Sequence, residues 1–152
     1  MEYRKATADD IELLMSLREE MLRIVNGLPE DHRFSDVMTE NSRRYFLEGD
    51  QTTVIALDNG KAAACASISY IEVMPTFSHT TGKRAHIMNV YTNAAYRRQG
   101  IAQKLVNMLT AEAAERGVTE IGLDATDSGR PLYEALGFTA SVSYMTKNIN
   151  RE

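Results

Sequence analysis

The chain has 152 residues, 43% of them hydrophobic, which is enough for one well-buried core and short for two, so a single domain is expected. Its 21 acidic residues outnumber its 17 lysines and arginines for a formal charge of −4, which excludes the basic surface a general nucleic-acid binder depends on and mildly favours amine substrates. One cysteine excludes an internal disulfide framework, no window approaches the length of a membrane span, and the start Met1-Glu2-Tyr3-Arg4-Lys5 lacks the apolar core of a signal peptide, so a cytoplasmic protein without membrane association is expected.

Residues 3–6 read as a short first strand, with Thr7, Asp9 and Asp10 as capping groups for the helix that follows. In that helix Ile11, Leu14, Met15, Met21, Leu22 and Val25 trace an apolar stripe, ended near Asn26-Gly27. A turn-rich connection over residues 28–34 leads to a second helix over residues 35–47. Residues 52–57 are expected as a strand, Asp58-Asn59-Gly60 as a hairpin turn, and residues 61–73 as its long partner, with Cys65 a buried structural thiol inside it. Pro75, Gly82 and several hydroxyl residues mark a loop over residues 74–84 that borders a pocket.

The most informative stretch comes next. Residues 86–93 have strand character, and Ile101, Leu105, Met108, Leu109 and Ala113 have helical spacing, so Arg97-Arg98-Gln99-Gly100-Ile101-Ala102 is a basic turn between a strand and a helix over residues 100–116. Gly100 permits a sharp turn and close approach of a ligand, and the first amides of the helix lack intrahelical acceptors. With two arginines and the positive end of the helix dipole, this is a site for a pyrophosphate. Gly117 ends the helix, and residues 119–125 form a strand turning Ile121, Leu123 and Ala125 inward. A short helix follows in Arg130-Pro131-Leu132-Tyr133-Glu134-Ala135-Leu136-Gly137-Phe138, with proline in its first turn and glycine past its end. Phe138 opens a final strand, and residues 140–148 close the sheet. The order β-α-α-β-β-β-α-β-α-β is that of an α/β chain with a mixed sheet and helices on both faces.

The pair of motifs resembles the GNAT superfamily of acyl-CoA-dependent N-acetyltransferases. Arg97 to Ala102 is similar to the Q/R-x-x-G-x-G/A pattern of that family, and Leu132-Tyr133-Glu134 with Gly137-Phe138 to its L-Y-E-x-x-G-F segment. The resemblance implies a GNAT-like fold, mostly antiparallel, in which the strands on either side of the phosphate turn's helix are parallel and splay apart around acetyl-CoA. It implies transfer of acetyl to a primary amine by direct attack in a ternary complex, with no metal. The pantetheine arm is then expected along the backbone of Val90, Tyr91 and Thr92, and the pyrophosphate on the amides of Arg98, Gln99, Gly100, Ile101, Ala102 and Gln103. Arg97 holds the first position of the family pattern and organises the turn as much as it binds. Thr126 stands where many members have an asparagine that contacts the CoA arm, and Gly129 where many have alanine. Tyr133 matches the tyrosine used as general acid toward the CoA sulfur. For the base, His86 lies near the position of a family glutamate that activates the amine, and Glu72 is its rival.

In this fold the first two helices and the loop after the long strand border the acceptor, which makes Asp31, Glu72 and residues 76–84 candidates for amine recognition. The acceptor itself, a small molecule or a peptide, is left open, and the fold admits a homodimer. The rival function is a non-catalytic acyl-CoA-binding module, which shares the turn and needs no proton relay.

Overall fold

The computed structural model describes residues 1–150. Five strands, β1 (Glu2–Lys5), β2 (Gln51–Asp58), β3 (Lys61–Glu72), β4 (Lys83–Thr92) and β5 (Glu120–Leu123), lie in that order in one sheet. All neighbours are antiparallel except β4 and β5, which are parallel. Four helices cover it: α1 (Ile11–Val25), α2 (Asp36–Glu48), α3 (Ile101–Glu115) and α4 (Arg130–Ala135).

The central strands are buried on both faces, which is why β2 and β3 read as continuous apolar runs rather than as alternation. On one face Leu14 and Leu17 of α1 pack with Ile55, Leu57, Cys65 and Tyr91, joined by Phe46 of α2. On the other, Leu105, Val106, Leu109 and Ala113 of α3 pack with Val54, Ala66, Ile68, Ala85 and Ile87, and Tyr133, Leu136 and Phe138 close that layer. The α1 stripe ends before Val25, which is 59% exposed, while Leu17, outside the expected stripe, is buried.

The entry to α1 is held by a local ion pair. Arg4 donates from Nη1 and Nη2 to the two oxygens of Asp10 at 2.8 and 2.9 Å, and the Thr7 amide donates to Asp10 Oδ2 at 2.7 Å. The hydrogen-bonded guanidinium holds this carboxyl at about 2, below the ordinary 3.8. Because the folded-state value is the lower one, the contribution to stability is complete above the ordinary carboxylate value and is lost as pH falls through 2. Asp10→Asn is expected to cost about 1 kcal/mol at neutral pH, a cap and a partly solvated pair together. Chemical melts between pH 2 and 5 check this: the difference between variant and wild type should vanish toward the acid end.

Two expectations need correction. Residues 140–148 are not a strand: the chain after Phe138 donates no backbone hydrogen bond to the body among the described residues, and Val142, Tyr144 and Met145 are 100%, 81% and 89% exposed. Alternation is a local property, whereas a strand exists only against a partner backbone, and β5, only four residues long, keeps its outer edge unpaired. Ala125 likewise lies beyond β5 and is exposed. At the other end, β4 begins at Lys83 rather than at His86, because Lys83 and Arg84 still face Glu72 and Ile71 across the β3 ladder.

Candidate active site

The parallel strands part company halfway. β5 pairs with β4 only from Arg84 opposite Glu120 to Ile87 opposite Leu123, while β4 runs on to Thr92. Past Ile87 the β5-facing edge of β4 therefore has no partner strand among the described residues, although the other edge remains on β3, with Cys65 opposite Tyr91 and Ala64 opposite Thr92. The ladder shifts register between Cys65 and Ser67, so that Asn89 and Val90 both fall opposite Ala66. Asn89, with φ at +59°, is the residue that makes this bulge, and it turns the backbone just where the two strands separate.

Beyond Thr92 the chain enters the turn. Asn93 Oδ1 accepts from the Ala95 amide at 3.0 Å, and Arg97 Nε donates to the Thr92 carbonyl at 3.2 Å, which ties the turn to the strand end. Arg98 has φ at +63° and Gly100 at +76°, and the first helical bond is from the Lys104 amide to the Gly100 carbonyl. The amides from Arg98 to Gln103 thus donate to no protein acceptor among the described residues, while Arg98 and Gln99 stand exposed beside them. A Cβ placed on Gly100 would meet nothing within 4 Å. Free amides around an open space at a helix N-terminus suit an anion. A surface depression lined by Gly100, Gln103, Lys104 and Asn107 continues down α3 from there.

α4 follows β5 and packs on the α3 layer of the core through Tyr133. Thr126 organises its start: its Oγ1 accepts from the Gly129 amide at 3.1 Å and its carbonyl accepts from the amides of Gly129 and Arg130. That hydroxyl is committed to the helix start. Gly129 has a packing reason for lacking a side chain, since a Cβ there would lie 3.2 Å from Tyr133 Cε2 and from Thr126 Oγ1. The Tyr133 ring rests between Gly129 and Phe138, edge to face with the latter at 6.0 Å, and its hydroxyl has no protein partner among the described residues. Burial pushes the phenol up from its ordinary value, so it stays protonated at neutral pH.

Ala85 and Ile87 face α3, so His86 and Met88 face the α1 and α2 side of the sheet. His86 is 38% exposed, with Nε2 3.7 Å from Asp124 Oδ2, and neighbours Ser69, whose Oγ accepts from Tyr45 of α2 at 2.8 Å. The backbone of Val90, Tyr91 and Thr92 thus runs directly into the turn, Val90 and Tyr133 pack against the same core layer, and His86 lies lower on the same strand. The structure does not bring Glu72 there. Glu72 faces Lys83, and at about 3.3 Å per residue that end of β4 is about 26 Å from Tyr91.

Two residues of this region escape sequence reading. Asn89 is buried, donates from Nδ2 to Ser67 Oγ at 3.2 Å, and accepts at Oδ1 from Arg18 Nη1 at 3.4 Å. A positive-φ asparagine inside an apolar strand is a weak bulge signal; Arg18, in the charged run Arg18-Glu19-Glu20, carries none.

Solved structures and family comparison agree on what this arrangement is. A predicted acetyltransferase from Clostridium acetobutylicum, solved with acetyl-CoA, is 33% identical, superposes with a TM-score of 0.85, and the match covers 97% of this chain and 95% of that one. A GCN5-related N-acetyltransferase from Ralstonia eutropha JMP134 is also 33% identical, with a TM-score of 0.80 and 97% of each chain covered. No curated protein sequence matches significantly. The model of the acetyltransferase (GNAT) family matches residues 14–138, which spans both motifs and the whole sheet except β1, and the chain belongs to that family.

Proposed function

We propose that the protein is a single-domain N-acetyltransferase that moves acetyl from acetyl-CoA to a primary amine by direct attack in a ternary complex. The observation that carries this reading is the stretch of β4 without a β5 partner running without interruption into the free amides of the turn. The pantetheine amides extend β4 like an added strand, and the pyrophosphate lies on the amides from Arg98 to Gln103. The acceptor comes from the other face, over His86, Met88 and Asn89.

Each group has one task. An alkyl amine is protonated at neutral pH, so His86 takes a proton from it, through water, as the nitrogen lone pair adds to the thioester carbon. A β4 amide at the bulge donates to the oxyanion. As the carbon–sulfur bond breaks, the Tyr133 phenol supplies the proton to the departing thiolate and the phenolate takes back the second proton from the amide nitrogen, leaving the neutral amide product and free CoA. Holding both substrates across one strand contributes as much as either proton transfer.

The test is calorimetric titration with acetyl-CoA and free CoA, with NAD and ATP as controls, followed by an amine panel read by CoA release. Saturable, CoA-specific binding with transfer to at least one amine is expected. No binding overturns the reading, and tight binding without transfer across the panel favours an acyl-CoA-sensing module instead.

A further inference from the structure

Among the arginines of α1 and α2, Arg18 stands apart. Arg23 pairs with Glu19 at 3.5 Å, Arg43 pairs with Glu12, and Arg44 is exposed to water. Arg18 is half-buried, forms no ion pair among the described residues, and makes a single long hydrogen bond, to Asn89. Of its neighbours in sequence, Glu19 is engaged with Arg23, and Glu20 adds to the burial that raises the Tyr91 phenol. Burial beside nothing more charged than the Cys65 thiol pulls the guanidinium below its ordinary value. A guanidinium has five N–H donors, and withdrawing them from water without a carboxylate is costly.

The acceptor of that one hydrogen bond is fixed from beneath. Asn89 Nδ2 donates to Ser67 Oγ at 3.2 Å, and Ser67 Oγ is hydrogen-bonded to Thr53 Oγ1 at 2.7 Å, all of them buried. A buried polar chain thus holds the amide oxygen toward α1, and Arg18 Nη1 rests on it. The remaining donors of Arg18 are left at the β4 bulge, beside the strand whose edge receives the acyl group.

We propose that Arg18 recognises an anionic substituent, a carboxylate or a phosphate, on the amine acceptor; this rests on the reading of the site given above. The planar fork of the guanidinium takes two oxygens side by side, and Asn89 fixes its orientation. A neutral amine of the same shape leaves the guanidinium unpaired. Anchored at Arg18, an acidic acceptor presents its amine to the acyl carbon with few orientations to lose. The chain is acidic overall, so this positive group supplies locally an attraction that the net charge of −4 does not.

The test reads binding of products, so that it does not depend on turnover. With free CoA present, N-acetyl amino acids are titrated beside their primary amides, and N-acetylglucosamine 6-phosphate beside N-acetylglucosamine. One anionic arm is expected to bind at least tenfold tighter than its neutral counterpart, and which arm does so separates carboxylate from phosphate. Arg18→Gln is expected to lose that preference and Arg18→Lys to keep part of it. Equal binding of anionic and neutral products, no binding of any anionic product, or an anion preference that survives Arg18→Gln overturns the proposal. Should Arg18→Gln not fold, Arg18→Lys decides, since an undiminished preference there overturns the bidentate contact. If acetyl-CoA binds but no amine is acetylated, the transferase reading fails, while the anion-against-neutral comparison still judges Arg18.

Discussion

Gly100→Val is expected to weaken acetyl-CoA binding by a hundredfold or more and to lower the melting temperature by only a few degrees. Two separable effects meet at this position. The glycine has φ at +76°, which costs a residue with a Cβ about 1–2 kcal/mol, or roughly 2–8 °C for a chain of this length. The fold imposes nothing further, because nothing lies within 4 Å of the new Cβ. That open space is where a pyrophosphate must come to reach the amides on either side of it, so a branched side chain there excludes the ligand while barely disturbing the protein. Gly100→Asn separates the two effects. Asparagine tolerates the left-handed conformation, so stability should recover, yet its side chain still occupies the approach. Thermal melts and calorimetric titration with acetyl-CoA on both variants check this, and wild-type affinity in Gly100→Val would move the pyrophosphate elsewhere.

Tyr133→Phe is the second large effect, and it falls on turnover alone. The ring packs against Gly129 and Phe138 and this packing survives the change, while the lost hydroxyl has no protein partner among the described residues. Stability should therefore stay within about 0.5 kcal/mol. If the phenol protonates the departing thiolate, kcat should fall about 10²-fold or more, with acetyl-CoA affinity within twofold of wild type. Steady-state rates beside binding measurements distinguish this from a positioning role, in which affinity and rate would drop together. Unchanged turnover would remove Tyr133 from the proton path.

The turn and the tyrosine were legible in sequence because their chemistry is local. A glycine at a helix start, amides without acceptors and a proline-opened helix are fixed by a few consecutive residues, and the αL geometry of Gly100 and the packing of Tyr133 in α4 follow from them. What was not legible depends on partners far along the chain. Val142 and Tyr144 alternate as a strand should, but whether an edge receives them is decided at β5, and there they remain exposed. In sequence His86 stood as the base with Glu72 as its rival. Only the register of β3 against β4 puts Glu72 at the far end of the sheet and His86 opposite Gly122 on the splayed strand pair. Arg18 was lost among charges on an amphipathic helix, since a solvated arginine and an unpaired, half-buried one are written alike. The difference lies in Asn89, Ser67 and Thr53, which come from β4, β3 and β2.

Cys65 is 1% exposed, its Sγ donates to the Asn89 carbonyl at 3.5 Å, and burial pushes its thiol up to about 12. Only the thiolate attacks a disulfide. The reaction proposed for this protein releases one thiol per turnover, and the folded chain offers none that competes. A chromogenic disulfide added to the cuvette therefore counts product directly, without blank correction for the enzyme or protection of a cysteine. The same reagent meets one protein equivalent once the chain unfolds, so a rising endpoint in an inactive variant reports lost structure rather than lost chemistry.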